Sequence, residues 1–232
     1  MRILAIDTSG QNCSVAIIDE EKVICDFNLS IGTTHSETLL PMIDEVCKTS
    51  RIDLSEVDVL ACGIGPGSFT GLRIGLATIK GFALAQNKNV IGVPTLDALA
   101  YNIANFEGII CSVLDARNNN VYAGIYKYEN DKLVLQDDYI TENLDTLIDI
   151  LKSKNEKVMF VGDGAVSFKQ QFKNALSENA KFAPLHLNNQ LSSSVAKAAL
   201  DRALENDFDD ADTLNPMYLK KSQAERTFEE GK

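Results

Sequence analysis

One glycine-rich run constrains this chain more than any other stretch: Gly63-Ile64-Gly65-Pro66-Gly67-Ser68-Phe69-Thr70-Gly71-Leu72-Arg73-Ile74-Gly75. The apolar residues 57–62 before it read as a buried strand, and the apolar segment after it, reaching Gln86, reads as a helix. Strand, glycine turn and helix is a place where α/β proteins hold ligands. Gly63, Gly65 and Gly67 let the backbone take positive φ and approach another group closely, and Ser68 is placed to cap the helix. A tight turn without a ligand fits the same pattern, because an isolated glycine run is weak evidence.

The standard phosphate motifs do not account for the run. It lacks the GK[ST] ending of a P-loop, and Thr70 stands where GxGxxG requires its last glycine. Ser68 is not in a GxSxG setting and has no histidine near it in sequence, so a serine nucleophile is not supported. The helix itself is more informative. Gly67, Gly71 and Gly75 fall four apart on one face, continued by Thr78 and Gly81, while Leu72, Leu76, Ile79 and Ala83 form a second apolar face. A helix apolar over most of its circumference needs cover on two sides, and a sheet supplies one. A small-residue stripe admits another helix closely, either from a second polypeptide or from the helix that begins near Thr34 in this one.

The 232 residues suffice for one large or two small domains with their own cores. A net charge of −11 excludes a large, self-sufficient nucleic-acid surface, which needs clustered Lys and Arg. Cys13, Cys25, Cys47, Cys62 and Cys111 form no CxxC pair and suit buried thiols in a reducing compartment. His35 and His186 are the only histidines and belong to no HxxxH or HExxH pair, so no metal site and no cofactor are expected. Four apolar residues before Asp7 are too few for a signal peptide, and residues 69–85 are interrupted by Arg73 and Lys80, so no membrane span and a cytoplasmic location are expected.

Read in order, residues 3–6 form a strand ending in Asp7-Thr8-Ser9-Gly10, residues 13–18 a second and residues 22–29 a third. Thr34-His35-Ser36-Glu37 has capping-box spacing and opens a helix to about Cys47, with Pro41 inside it predicting a kink or a later start. A strand at 90–93 and a helix capped by Thr95 close a first unit near residue 105. The plan then repeats. Residues 109–114 are apolar, Asp115 follows, and setting Asp115 on Asp7 places Val121 on Cys13, Ala123 on Val15 and Ile125 on Ile17 without a gap. A helix at 144–151 takes the slot of the Thr34 helix, and Val158 to Gly164 repeats the strand-then-GxG pattern. Both matches in the same order indicate duplication: an α/β chain of two βββαβα units, 1–105 and 106–232, with the acidic turns of an actin-like ATPase fold. A final helix at 191–204, capped by Ser192, Ser193 or Ser194, and a charged tail complete the second unit. In that architecture a carboxylate ending each first strand holds the water shell of Mg²⁺, which makes Asp7, Ser9, Asp115, Gly162 and Gly164 candidates for a vestigial nucleotide site. Capping of hairpin turns explains the same aspartates.

Several blocks, spanning nearly the whole chain, resemble the TsaB (YeaZ) family needed for threonylcarbamoyladenosine formation in tRNA. They are Leu4-Ala5-Ile6-Asp7-Thr8-Ser9, His35-Ser36-Glu37 with Leu39-Leu40-Pro41, Gly63 to Gly75, Gly92-Val93-Pro94-Thr95-Leu96, Asp115-Ala116-Arg117 with Val121-Tyr122, and Pro216-Met217-Tyr218-Leu219-Lys220, where Lys220 replaces the family's more usual Arg. The resemblance implies a non-catalytic scaffold that binds and activates the related subunit TsaD, with the ATPase TsaE, for threonylcarbamoyl transfer to ANN-decoding tRNAs. It further implies contact through His35, Ser36, Leu39 and Met42 on one helix and Phe69, Leu72, Arg73 and Leu76 on the next, to which the small-residue stripe adds Gly71 and Gly75. A homodimer on the same surface when the chain is alone, and tRNA met only through the complex, complete the implied picture. The alternative is an active phosphotransferase or carbamoyltransferase that uses Asp7 and Mg-ATP.

Overall fold

Two sheets of one plan organise the chain, in a computed structural model that describes residues 1–32, 34–130 and 132–219. The first contains β1 (Ile3–Asp7), β2 (Cys13–Ile18), β3 (Val23–Leu29), β4 (Val59–Gly65) and β5 (Asn89–Pro94), ordered β3-β2-β1-β4-β5. The second contains β6 (Ile109–Asp115), β7 (Asn120–Glu129), β8 (Lys132–Leu135), β9 (Ile140–Asn143), β10 (Val158–Val161) and β11 (Ala180–Phe182), ordered β11-β10-β6-β7-β8 with β9 also on β7. In both, antiparallel hairpins give way to parallel strands that need helical crossovers. The helices are α1 (His35–Ser50), α2 (Phe69–Gln86), α3 (Thr95–Ala100), α4 (Leu144–Lys154), α5 (Asp163–Ser167), α6 (Lys169–Leu176) and α7 (Ser192–Leu204). The expected duplicated α/β architecture is present.

Each sheet has an outer and an inner core. Leu39, Ile43 and Val46 of α1 and Leu76, Ile79 and Ala83 of α2 pack on Leu4, Ile6, Val15 and Leu60. In the second half Leu147 and Leu151 of α4 and Phe172 of α6 pack on Cys111, Val113 and Phe160, with the Phe160 and Phe172 rings stacked at 4.0 Å. The inner faces exchange their helices. α7, which follows the second sheet, covers Ile3, Ala5, Val59 and Ile91 of the first, while α3, which follows the first sheet, packs on Ile110 and Leu114 of the second. The expected division at 105/106 put α7 in the second unit; its apolar stripe instead completes the first core. Across this layer the hydroxyls of Tyr126 and Tyr139 both donate to Asp97 Oδ1, at 2.7 and 2.6 Å.

The chain after α7 returns to the first half as a strap. Arg202 pairs with Asp207 and Asp209, Asp209 bridges to Val90, the Lys80 ammonium donates to the carbonyls of Asp212 and Leu214, and the Met217 amide donates to the Ile64 carbonyl at 2.7 Å. Lys220 and the charged tail lie outside the described residues.

Local signals held to different degrees. Ser68 caps α2 as expected, accepting from the Gly71 amide at 3.2 Å. α1 starts directly after Thr34 and continues through Pro41 to Ser50, so the later start does not occur; the Thr34 hydroxyl donates to Glu37 rather than capping an amide. Pro94 precedes α3 and Thr95 is its first residue, with a buried hydroxyl that caps nothing. No serine side chain caps α7; Ser192 instead bonds Ser14 on β2.

Candidate functional site

The candidate site residues of the two halves lie where the ends of β1, β4, β6 and β10 and the turns after them meet. Asp7 ends β1 with its side chain wholly buried, and its Oδ1 accepts from the Ser9 amide and hydroxyl at 2.8 and 2.7 Å. Its Oδ2 has no hydrogen-bond partner among the described residues. Burial pushes the Asp7 carboxyl above the usual carboxylate range, against the pull of its Ser9 bonds and of nearby His35.

The glycine run closes around this turn. A Cβ on Gly67 would fall closer than 3.0 Å to Ser9 carbonyl oxygen, one on Gly71 to the Thr8 carbonyl oxygen, and one on Gly75 to the Thr8 hydroxyl. The Ser68 amide donates to the Ser9 carbonyl at 2.7 Å and the Thr8 hydroxyl donates to the Gly71 carbonyl at 2.8 Å. The stripe is therefore an intramolecular seat for the Thr8–Ser9 backbone. This corrects the reading of Gly71 and Gly75 as residues that meet another helix: glycine spacing fixes a shared face but not the neighbour of that face. His35, at the start of α1, closes the opposite side, with Nε2 3.0 Å from the Gly10 carbonyl.

The other expected contact residues divide by exposure. Leu39, Met42, Leu72 and Leu76 are buried in the monomer, so they support the helices from inside, and only Ser36, Phe69 and Arg73 of that set are exposed, with His35 half-buried. The solvent side of α2 is a different stripe, in which Phe69, Arg73, Ala77, Gly81 and Leu84 are exposed and a Cβ on Gly81 would meet nothing within 4 Å. Leu40 and Pro41 are exposed on neighbouring α1. The Arg73 guanidinium lies 3.8 Å over the Phe69 ring, Tyr218 stacks on Phe69 at 5.2 Å, and Arg73 Nε donates to the Tyr218 hydroxyl at 3.0 Å. The strap supplies Tyr218, which no local sequence pattern links to α2.

A cleft of about 560 Å³ opens between the halves, lined by Ser9, Gly10, Ser68, Phe69, Asp115, Arg117, Asp163 and Gln190 among others. It adjoins a space of about 520 Å³ whose walls are rich in amides, from Gln11, Asn12, Asn188, Asn189 and Gln190. The two Asp-bearing turns do not match as expected. Asp7 is opposite Ser14 in its hairpin, while Leu114 is opposite Tyr122 and Asp115 opposite Val121. Between the last paired residues the second turn (116–120) is one residue shorter than the first (8–13), and by strand alternation Leu114, not Asp115, shares the inner face of Ile110, as Asp7 shares that of Ile3 and Ala5. A one-residue slip moves a side chain to the other face of a sheet, so Asp115 is exposed at the cleft and does not converge with Asp7. Asp163, between Gly162 and Gly164, receives the Asp115 amide at 3.0 Å; sequence reading took the flanking glycines and missed the acid.

The chemistry of this donor set does not fit a Mg²⁺–nucleotide clamp. One of its carboxylates is sealed off, with burial raising its pKa, Arg117 is the only cation among the residues lining the two spaces, and no group of three metal-capable side chains forms among the described residues. Neither is any described helix long and apolar enough to cross a membrane.

Comparison with known proteins places this geometry in a family. The family model for TsaD, tRNA N6-adenosine threonylcarbamoyltransferase, matches residues 30–228. The tRNA threonylcarbamoyladenosine biosynthesis protein TsaB of Bacillus subtilis is 31% identical over 230 residues, covering 97% of this chain and 96% of that protein. The protein of the same name from Escherichia coli is 36% identical over 157 residues, 63% of this chain and 68% of that one. A crystal structure from Pseudomonas aeruginosa, described as an uncharacterized protein with similarity to peptidase YeaZ, superposes with a TM-score of 0.82 at 25% identity, over 94% of this chain and 99% of that one. A ROK hexokinase from Thermus thermophilus shares the fold alone, with a TM-score of 0.55 at 11% identity over 88% of this chain and 99% of that one. The chain belongs to the TsaB (YeaZ) family of tRNA threonylcarbamoyladenosine biosynthesis proteins, with the actin-like fold.

Proposed function

We propose that this chain is a non-catalytic subunit that docks on TsaD and activates it, together with the ATPase TsaE, for threonylcarbamoyl transfer to adenosine in ANN-decoding tRNAs in the cytoplasm. The observation that supports docking most strongly is the uncovered side of α2: Phe69, Arg73, Ala77, Gly81 and Leu84 recur at near four-residue spacing, beside exposed Leu40 and Pro41 of α1. Small Ala77 and Gly81 let a partner helix come close, and the Phe69–Arg73–Tyr218 stack is a pre-ordered anchor of the residue types that dominate interface energetics. Buried Leu39, Met42, Leu72 and Leu76 hold α1 and α2 in place from beneath. Alone, two copies of the chain pair through the same surface; tRNA is held mainly by the partners, in keeping with the net charge of −11. The two actin-like units, 1–105 and 106–232, with α7 and the strap returning to the first, hold this surface rigid.

Reconstituted modification tests the reading. TsaD, TsaE, the threonylcarbamoyl-adenylate donor and unmodified tRNA should give modified tRNA only when this chain is added, while calorimetry of the chain with Mg-ATP shows no tight binding. Modification that proceeds at full rate without the chain overturns the proposal. Tight Mg-ATP binding lost in Asp7→Ala does so too, and favours a phosphotransferase or carbamoyltransferase.

A further inference from the structure

At the outer edge of the second sheet the charge of this acidic chain reverses. Between residues 157 and 181 there are four lysines and two acids, against a net −11 for the whole. Lys157 precedes β10, Lys169 and Lys173 lie on α6, and Lys181 lies in β11, the edge strand; all four are exposed. None has an ion-pair partner among the described residues. α6 reads KQQFKNAL and carries no acid. Lys169 and Lys173 project together over Phe182, with Nζ atoms 5.2 and 6.0 Å from its ring centroid.

Lysine on an edge strand blocks unwanted strand pairing, and that accounts for Lys181. The Phe182 ring attracts both ammonium groups of the α6 pair, but like charges at i and i+4 still repel one another and destabilise the helix that carries them. An anion laid across the surface turns this repulsion into attraction. We propose that Lys157, Lys169, Lys173 and Lys181 contact the phosphate backbone of the tRNA during its modification. Four point charges on flexible stems suit a repeating phosphate backbone read without sequence. The surface contains no arginine, the residue whose planar fork recognises carboxylates on an acidic protein. Four lysines give a weak contact alone and an effective one when the assembly already holds the RNA, since the second contact is then intramolecular.

The inference rests on the chain's role in the tRNA pathway and not on the docking stripe, which lies on the other half of the molecule. Filter binding of bulk unmodified tRNA between about 50 and 200 mM salt tests it, with the full chain alone and in its mixture with TsaD and TsaE. Lys169→Gln/Lys173→Gln should lower affinity on the order of tenfold at low salt and reduce the slope of log affinity against log salt by about 1 to 2, since each lost phosphate contact removes about 0.7–0.9. Lys22→Gln, on the first half, should change neither. Co-elution of the double variant with the proteins should match wild type, so a docking failure and an RNA failure are distinguishable. Unchanged affinity and slope in the double variant overturn the inference. A loss of protein co-elution with tRNA binding intact also overturns it, and assigns the surface to an acidic protein.

Discussion

The glycine seat makes a prediction of unusual sign. Ala normally stabilises a helix interior over Gly by about 1 kcal/mol. At Gly71 the new Cβ would overlap the Thr8 carbonyl oxygen, with His35 Cδ2 at 3.1 Å and Ser68 Oγ at 3.2 Å blocking retreat. The nearest obstacle is backbone that also anchors Asp7 and Ser9, so relief requires α2 to move off the turn. Overpacking of this kind costs roughly 1–3 kcal/mol, and stretching the buried Thr8–Gly71 bond costs about 1 kcal/mol more. After the propensity gain, Gly71→Ala should destabilise by about 1–3 kcal/mol. In a chain of this size that lowers Tm by roughly 2–12 °C. Gly81→Ala, on the open side of the same helix, should instead raise Tm by roughly 2–4 °C. Thermal and urea unfolding of the full chain read both. A Gly71→Ala variant as stable as Gly81→Ala would refute the inward placement of the stripe.

Other consequences are equally accessible. Burial raises the Asp7 pKa, so the folded chain keeps a proton that the unfolded chain releases above about pH 4; the stability tied to that proton is full below the unfolded pKa and is lost as pH climbs to the folded one. Asp7→Asn keeps an oxygen for Ser9 and should therefore gain on wild type in urea midpoint as pH rises above about 4, and a difference constant with pH would contradict this. Burial pushes the Cys62 thiol up to about 12 and the Cys111 thiol higher still, so mass spectrometry after brief iodoacetamide treatment of native protein should find both unmodified and Cys25, less buried, labelled first. Arg202→Ala removes the ion pairs that fasten the strap and should increase limited proteolysis within residues 205–219 while leaving the second half intact; unchanged cleavage would show that other contacts hold it.

Much of the fold was legible because strand alternation and the glycine turn are local signals. β1, β2 and β3, the Ser68 cap and the repeat of the strand plan all follow from spacing a few residues long. The misreadings share another cause, since each depends on what lies opposite in space. Gly67, Gly71 and Gly75 announce close approach, yet nothing in their spacing says that the Thr8–Ser9 backbone is the neighbour. The slip between Asp7 and Asp115 arises in a turn, where no hydrophobic period keeps register. α6 escaped notice because Phe172 is its only fully buried side chain, and the strap because it forms no regular element. Of the expected contact residues, Leu39, Met42, Leu72 and Leu76 proved to be core while Phe69 stayed exposed, since a sequence does not distinguish a side chain buried within its own domain from one awaiting a partner.

The central claim is docking through the open side of α2, and size-exclusion chromatography with light scattering of the chain mixed with TsaD tests it most directly. Ala77→Glu/Gly81→Gln changes only exposed positions and should leave Tm within a few degrees of wild type. The account predicts a stable heterodimer for the wild type and its loss in this double variant. A heterodimer formed equally well by both proteins would contradict it.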